Sequence, residues 1–181
     1  MSGEWAVVSG AYIYSDIITG YTSYHYSLSP LPIHYCMSTI EFVKAYIHRL
    51  CKDIGTHADA VYNAKTNAWY FSRGSSTIEV FLTNVETSPN TDRTFIRCFA
   101  PLYPIPVNPV MQFEVFQKAL ELNTRHMGIK LSIIPDKGLL CVIAERDIDG
   151  MDYDEFLSMI SDIAYWADYL DNYLQEHFGK L

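Results

Sequence analysis

Residues 152–179 read DYDEFLSMISDIAYWADYLDNYLQEHFG, and this run decides the fold. Phe156, Ile160, Ile163, Ala167, Leu170 and Leu174 recur at steps of three and four, which makes one apolar stripe along a helix of about six turns. Asp152 and Glu155 stand at capping-box spacing, and acids crowd the first turn, where the helix dipole favours negative charge. Gly179 is the stop signal. Trp166, Tyr169 and Tyr173 lie beside the stripe and broaden it.

Working back from this helix, Leu139–Ala144 is a nearly continuous apolar run that reads as a buried strand. Pro135-Asp136-Lys137-Gly138 is a turn, and Ile129, Leu131 and Ile133 alternate as a half-buried strand, so the pair forms a hairpin. Asn108 is a good N-cap with Pro109 at the first helical position. The helix they open should run to about Leu122, with Val110, Phe113, Phe116 and Leu120 on one face and Asn123 at its end. The prolines at 101, 104, 106 and 109 read as a stiff crossover in preference to an SH3-type ligand.

Thr94–Ala100 and Thr77–Thr83 each alternate, with the polar stretch Asn84–Asp92 as the loop between them. Ala60–Tyr62 and Ala68–Ser72 flank an Asn63–Asn67 turn, completing an antiparallel meander. A first helix is expected from Thr39 to Ile54. Ser38 and Glu41 cap it, Ile40, Val43, Ile47, Leu50 and Ile54 form its stripe, Phe42 and Tyr46 widen it, and Gly55 ends it. The fold class is therefore α+β: helix, antiparallel meander, helix, hairpin, long C-terminal helix.

Residues 1–36 stand apart as a tyrosine-rich extension, and residues 37–181 form the single domain. The extension has no Lys or Arg and six tyrosines (Tyr12, Tyr14, Tyr21, Tyr24, Tyr26, Tyr35). Three readings of it are open: an added strand or hairpin, a poorly ordered tail, or a stretch upstream of a start at Met37.

Composition narrows the function classes. With 49% apolar and 19% charged residues, the chain has the material for a packed core. No apolar run approaches the roughly 18 residues that a membrane span needs, and the N-terminus lacks the pattern of an export signal. Cys36, Cys51, Cys98 and Cys141 are widely spaced, with no C-x-x-C, and read as structural thiols of a reducing, cytoplasmic compartment. The net charge is -8, and the segment from Ala144 to Leu181 carries an excess of eight acids by itself. An acidic chain without a basic stripe is repelled by phosphate backbones, so nucleic acid is not an expected partner.

Enzyme signatures are absent: there is no H-E-x-x-H, G-x-S-x-G, P-loop or G-x-G-x-x-G. The six histidines show no i, i+4 pairing, and Asp147-Ile148-Asp149-Gly150 lacks the glycine and acid at the later positions that an EF-hand needs. No cofactor or metal is expected. The candidate site lies on the sheet. One face of the meander carries Ile78, Val80, Leu82, Ile96, Cys98 and Ala100. The other carries Phe81, Phe95 and Phe99 beside Arg97 and Glu79, where a solvated face would be polar. Aromatics around an arginine are typical of interface centres. Cover by another part of the chain, by an identical subunit or by a client polypeptide are the three possibilities.

Four stretches carry a family likeness: Phe42-Val43-Lys44-Ala45-Tyr46; Trp69 through Arg73-Gly74-Ser75; Ala119 through Asn123; and the run from Pro135 through Gly138 and Met151–Glu155 to Phe178-Gly179. With the element order, they resemble the type III secretion chaperone-like fold, in particular its YbjN-domain branch. The resemblance covers about Ser38 to Gly179. It implies a small acidic cytoplasmic protein, usually a homodimer, that holds unfolded stretches of a client over apolar grooves, with no catalytic residues to carry over. A regulatory or adaptor protein binding a folded partner is the second reading, and an enzyme with an unrecognised pocket the third.

Overall fold

The computed structural model describes residues 5–6, 39–88, 91–126 and 128–180. The expected boundary at residues 36 and 37, the Ser38 cap, Cys36 and the six tyrosines of the extension lie outside them.

In chain order the elements are β1 (Trp5–Ala6), α1 (Thr39–Asp53), α2 (Ala58–Val61), β2 (Tyr62–Asn63), β3 (Ala68–Arg73), β4 (Ser76–Ser88), β5 (Thr91–Pro104), α3 (Pro109–Arg125), β6 (Lys130–Ile134), β7 (Leu139–Asp147) and α4 (Tyr153–Phe178). One antiparallel sheet runs β1-β3-β4-β5-β7-β6, and β2 also pairs with β3. Thus the α+β order expected from the sequence is the order observed.

Side-chain alternation divides the sheet into two faces. Trp69, Phe71, Ile78, Val80, Ile96, Cys98, Ala100, Leu140, Val142 and Ala144 are buried and share one hydrophobic core with the inward stripes of α1, α3 and α4. Phe156, Ile160, Ile163, Ala167, Leu170 and Leu174 of α4 have no exposed area at all. Fully burying a Phe, Ile or Leu side chain stabilises by about 1.5–3 kcal/mol, so α4 contributes heavily to the core. Its start is fixed by a complete capping box: Asp152 accepts from the Glu155 backbone N–H at 2.8 Å, and Glu155 accepts from that of Asp152 at 3.1 Å.

Helix α1 docks on α4 through Tyr46, whose ring meets Phe156 at 5.7 Å and whose hydroxyl donates to the Met151 carbonyl at 3.2 Å. Tyr153 donates to Asp53 at 2.9 Å, with the Arg49 guanidinium 3.7 Å from its ring centroid. Burial, and then the Asp53 carboxylate, push its phenol up to about 12.

Four sequence expectations need correction. The short strand over Ala60–Tyr62 is the helix α2 followed by β2; a three-residue apolar run carries no period that could separate helix from strand. The loop over Asn84–Asp92 is largely strand, because Asn84, Val85 and Glu86 pair with Thr94, Arg93 and Asp92. Pro101 and Pro104 are inside β5, with a register shift between Pro101 and Tyr103. A bulge is where a strand tolerates a residue without an N–H. Helix α3 continues to Arg125, and Asn123 is not its end. The Asn123 amide instead brackets Leu131 of β6, accepting from its N–H at 2.6 Å and donating to its carbonyl at 3.2 Å.

Candidate functional site

Phe81, Phe95, Arg97 and Phe99 all occupy the sheet face opposite the helices, and strand register explains how they meet. Phe81 pairs with Arg97 across β4 and β5, and Arg97 with Glu145 across β5 and β7. The neighbouring rows are Glu79, Phe99, Ile143 and Thr83, Phe95, Asp147. All four predicted residues are partly exposed, intermediate between core and surface.

The charges on this face are arranged over the rings. Arg97 binds Glu145 at 2.6 Å while its guanidinium carbon lies 5.8 Å from the Phe81 centroid. Arg93 pairs with Asp147 and sits 5.5 Å from the Phe95 centroid. Both contacts are within cation–π range, so each of these two phenylalanines already has a cation from its own chain above it. Burial would raise the Glu145 carboxyl, but the hydrogen bond from Lys130, at 3.2 Å, and the charges of Arg97 and Lys130 outweigh it and hold it below its ordinary value. Glu79 behaves oppositely. Burial raises its carboxyl despite the hydrogen bond that Tyr70 donates at 3.0 Å. The Nε of Arg97 is buried with no hydrogen-bond partner among the described residues.

The thiols of Cys51, Cys98 and Cys141 are free and buried. Burial pushes Cys51 and Cys141 up to about 11 and Cys98 higher still, so all three are protonated at neutral pH. Among the described residues no group of three His, Cys, Asp or Glu side chains is placed to hold a metal ion, and no helix is long and apolar enough to cross a membrane.

A second surface was not singled out in the sequence. Helix α3 buries Val115, Ala119 and Leu122, leaving Val110, Phe113 and Leu120 exposed at 68%, 66% and 68%. The sequence expects Val110, Phe113, Phe116 and Leu120 on one face. Val110, Phe113 and Leu120 do share one, which points outward, whereas Phe116 is partly buried and packs against the core. Gln117 and Thr124 continue it without charge. The signal was present, since α3 has apolar residues on two sides, which an ordinary surface helix does not.

Element order, sheet topology and the position of the long last helix together define a type III secretion chaperone-like fold. A solved structure of the ExsC–ExsE complex contains a chain that superposes with a TM-score of 0.57 at 11% identity, covering 75% of this chain and 96% of that one. A chain of the HopA1–SchA chaperone–effector complex matches at 0.43 and 11%, covering 72% and 94%. YbjN from E. coli matches at 0.48 and 11%, covering 76% and 92%. No protein-family model and no curated protein sequence matches the chain.

Proposed function

We propose that this chain is a non-catalytic, chaperone-like protein of the cytoplasm that holds a polypeptide segment on the outer face of its sheet and works as a homodimer. The observation that carries the reading is the position of Phe81, Phe95, Phe99 and Arg97. They are half-buried on the face opposite α1, α3 and α4. Aromatic rings around a paired arginine give a polypeptide both apolar area and hydrogen-bond direction. The ExsC–ExsE complex, a chain of which superposes on this one, supports a protein partner. Self-association is assigned to the uncharged strip of α3, which is more exposed than the sheet face and spatially separate from it.

The test separates the two surfaces. Phe81→Ser with Phe99→Ser should leave the mass by light scattering dimeric. Binding of a permanently unfolded model polypeptide, reduced and alkylated, should fall by about tenfold or more, as truncating aromatics at an interface centre does. A folded variant that captures this polypeptide as the parent does would refute the client surface. Dissociation to monomer would reassign the face to assembly. A parent that ignores unfolded polypeptide but forms a stoichiometric complex with one folded protein would make it an adaptor.

A further inference from the structure

Helix α4 has a second ordered face. Tyr165 and Tyr169 are 50% and 45% exposed, yet their rings lie 6.2 Å apart with planes 8° from parallel. Tyr173 continues the stack at 6.2 Å and 20°. The i, i+4 spacing thus builds a ladder of three phenol rings. Asp162 and Glu176 are exposed on the same side of the helix, and among the described residues neither is in an ion pair. Asp168 and Asp171 differ, because they accept hydrogen bonds from Ser75. Between Arg146 and Lys180 the sequence contains no lysine or arginine. A solvated helix of this length ordinarily interleaves both signs. Here carboxylates and aromatic rings stand together with no lysine or arginine supplied by the helix itself, and the one imidazole beside them, His177, packs on Tyr173 at 3.9 Å. At one end the chain shows what suits them: Arg73 of β3 brings its guanidinium carbon to 6.0 Å from the Tyr165 centroid.

We propose that this ladder docks an extended basic segment of a partner polypeptide, with arginine at every second position. The charge argument selects a cationic occupant, and the spacing selects its form. Rungs repeat at 6.2 Å, while side chains on one face of an extended chain repeat at roughly 6.6 Å, twice a rise of about 3.3 Å per residue. Successive guanidinium groups therefore lie over successive rings, and their free N–H groups reach Asp162 and Glu176. The ladder faces away from the sheet, so the inference does not rest on the client surface proposed above.

Two labelled peptides of equal charge provide the test: one alternating arginine and serine, the other with the same arginines in a block followed by the serines. Anisotropy titration of the whole protein should show the alternating peptide binding about tenfold more tightly, the gain expected of two or three cation–π contacts. Tyr165→Ser with Tyr169→Ser should abolish the preference, and Tyr165→Phe with Tyr169→Phe should keep it. Asp162→Asn with Glu176→Gln should weaken both peptides. Equal binding of the two peptides by the parent overturns the proposal, as does a preference that survives loss of the rings. A preference removed by Phe81→Ser with Phe99→Ser, and not by the tyrosine variants, would place the segment on the sheet and also overturn it. Should the double serine variant melt early, Tyr165→Ser alone is read in the same way.

Discussion

Helices α3 and α4 pack into the same core, but they sort their large apolar residues in opposite directions. Along α4, Phe156, Ile160, Ile163, Leu170 and Leu174 all point inward and are completely buried. Along α3 the inward positions hold Val115, Ala119 and Leu122, and the bulkier Phe113 stays outside with Val110 and Leu120. Both helices are capped at their starts, α3 by Asn108 and α4 by Asp152. The difference teaches where stability is concentrated: α4 holds the domain together, and α3 leaves part of its apolar surface exposed.

The comparison breaks most visibly at Ile163. Ile163→Asp places a carboxylate without a partner where there is no exposure. A loss of about 4–5 kcal/mol or more is expected, enough to abolish a cooperative thermal melt. A melt like the parent's would mean that α4 is not the core helix.

Next in size is the turn between β3 and β4, which docks on α4. Gly74 has φ +56°, and a Cβ there would lie 2.2 Å from Oδ1 of Asp168, the same atom that accepts from the Ser75 backbone N–H at 3.3 Å. Gly74→Ala therefore combines left-handed strain with displacement of that carboxylate, and should cost about 1–3 kcal/mol by denaturant unfolding. The double variant Gly74→Ala with Asp168→Ala should recover part of that loss, because the clashing atoms are gone. No recovery would assign the whole cost to the backbone.

The caps give a smaller and graded contrast. Asp152 takes part in a reciprocal box, whereas Asn108 only accepts, from the N–H groups of Val110 and Met111 at 2.9 and 3.3 Å. Pro109 also presets the first turn of α3 without an N–H to satisfy. Asp152→Ala should cost about 1–2 kcal/mol and Asn108→Ala about 0.5–1 kcal/mol. The reverse order in chemical denaturation would show that α3 depends on its cap more than α4 does.

These expectations also show what the sequence could and could not convey. The stripe of α4 was legible because six apolar residues, five of them large, keep one period and the capping pair sits at its start. The sheet faces were legible for a similar reason, since Thr77–Thr83 and Thr94–Ala100 alternate without interruption, and Phe81, Phe95, Arg97 and Phe99 emerge together on one face. What period alone could not say is that Arg93 and Arg97 lie over two of those rings, because cross-strand register brings Arg97 to Phe81 and Asp147 to Phe95. The outward strip of α3 was hidden by its size. A stripe of Val, Phe and Leu looks more core-like than one of Val115, Ala119 and Leu122, yet the smaller side is the inner one. The long β4 and β5 were hidden by polar pairs such as Asn84 with Thr94, which hydrogen-bond at 2.9 Å across the ladder.

The smallest effect on stability should come from the strip itself, and it is the sharpest test of the contrast. Leu120 is 68% exposed, so a charge placed there remains hydrated and Leu120→Asp should shift stability by no more than about 0.5 kcal/mol. The same substitution that would ruin α4 at Ile163 is then nearly silent in a melt at low concentration. Its consequence should appear in mass. If two copies meet through α3, an aspartate at Leu120 is brought toward its symmetry mate and toward Phe113 and Val110 of the other copy, where the apolar area it replaces was worth about 1.5–3 kcal/mol per buried side chain. Sedimentation at micromolar concentration should then show a dimer for the parent and a monomer for the variant. The midpoint of the parent's melt should rise with concentration while the variant's does not. A parent that sediments as a monomer, or a variant that remains a dimer, would remove the strip from assembly. A large loss of stability in a monomeric parent would show that Leu120 is buried within its own chain after all.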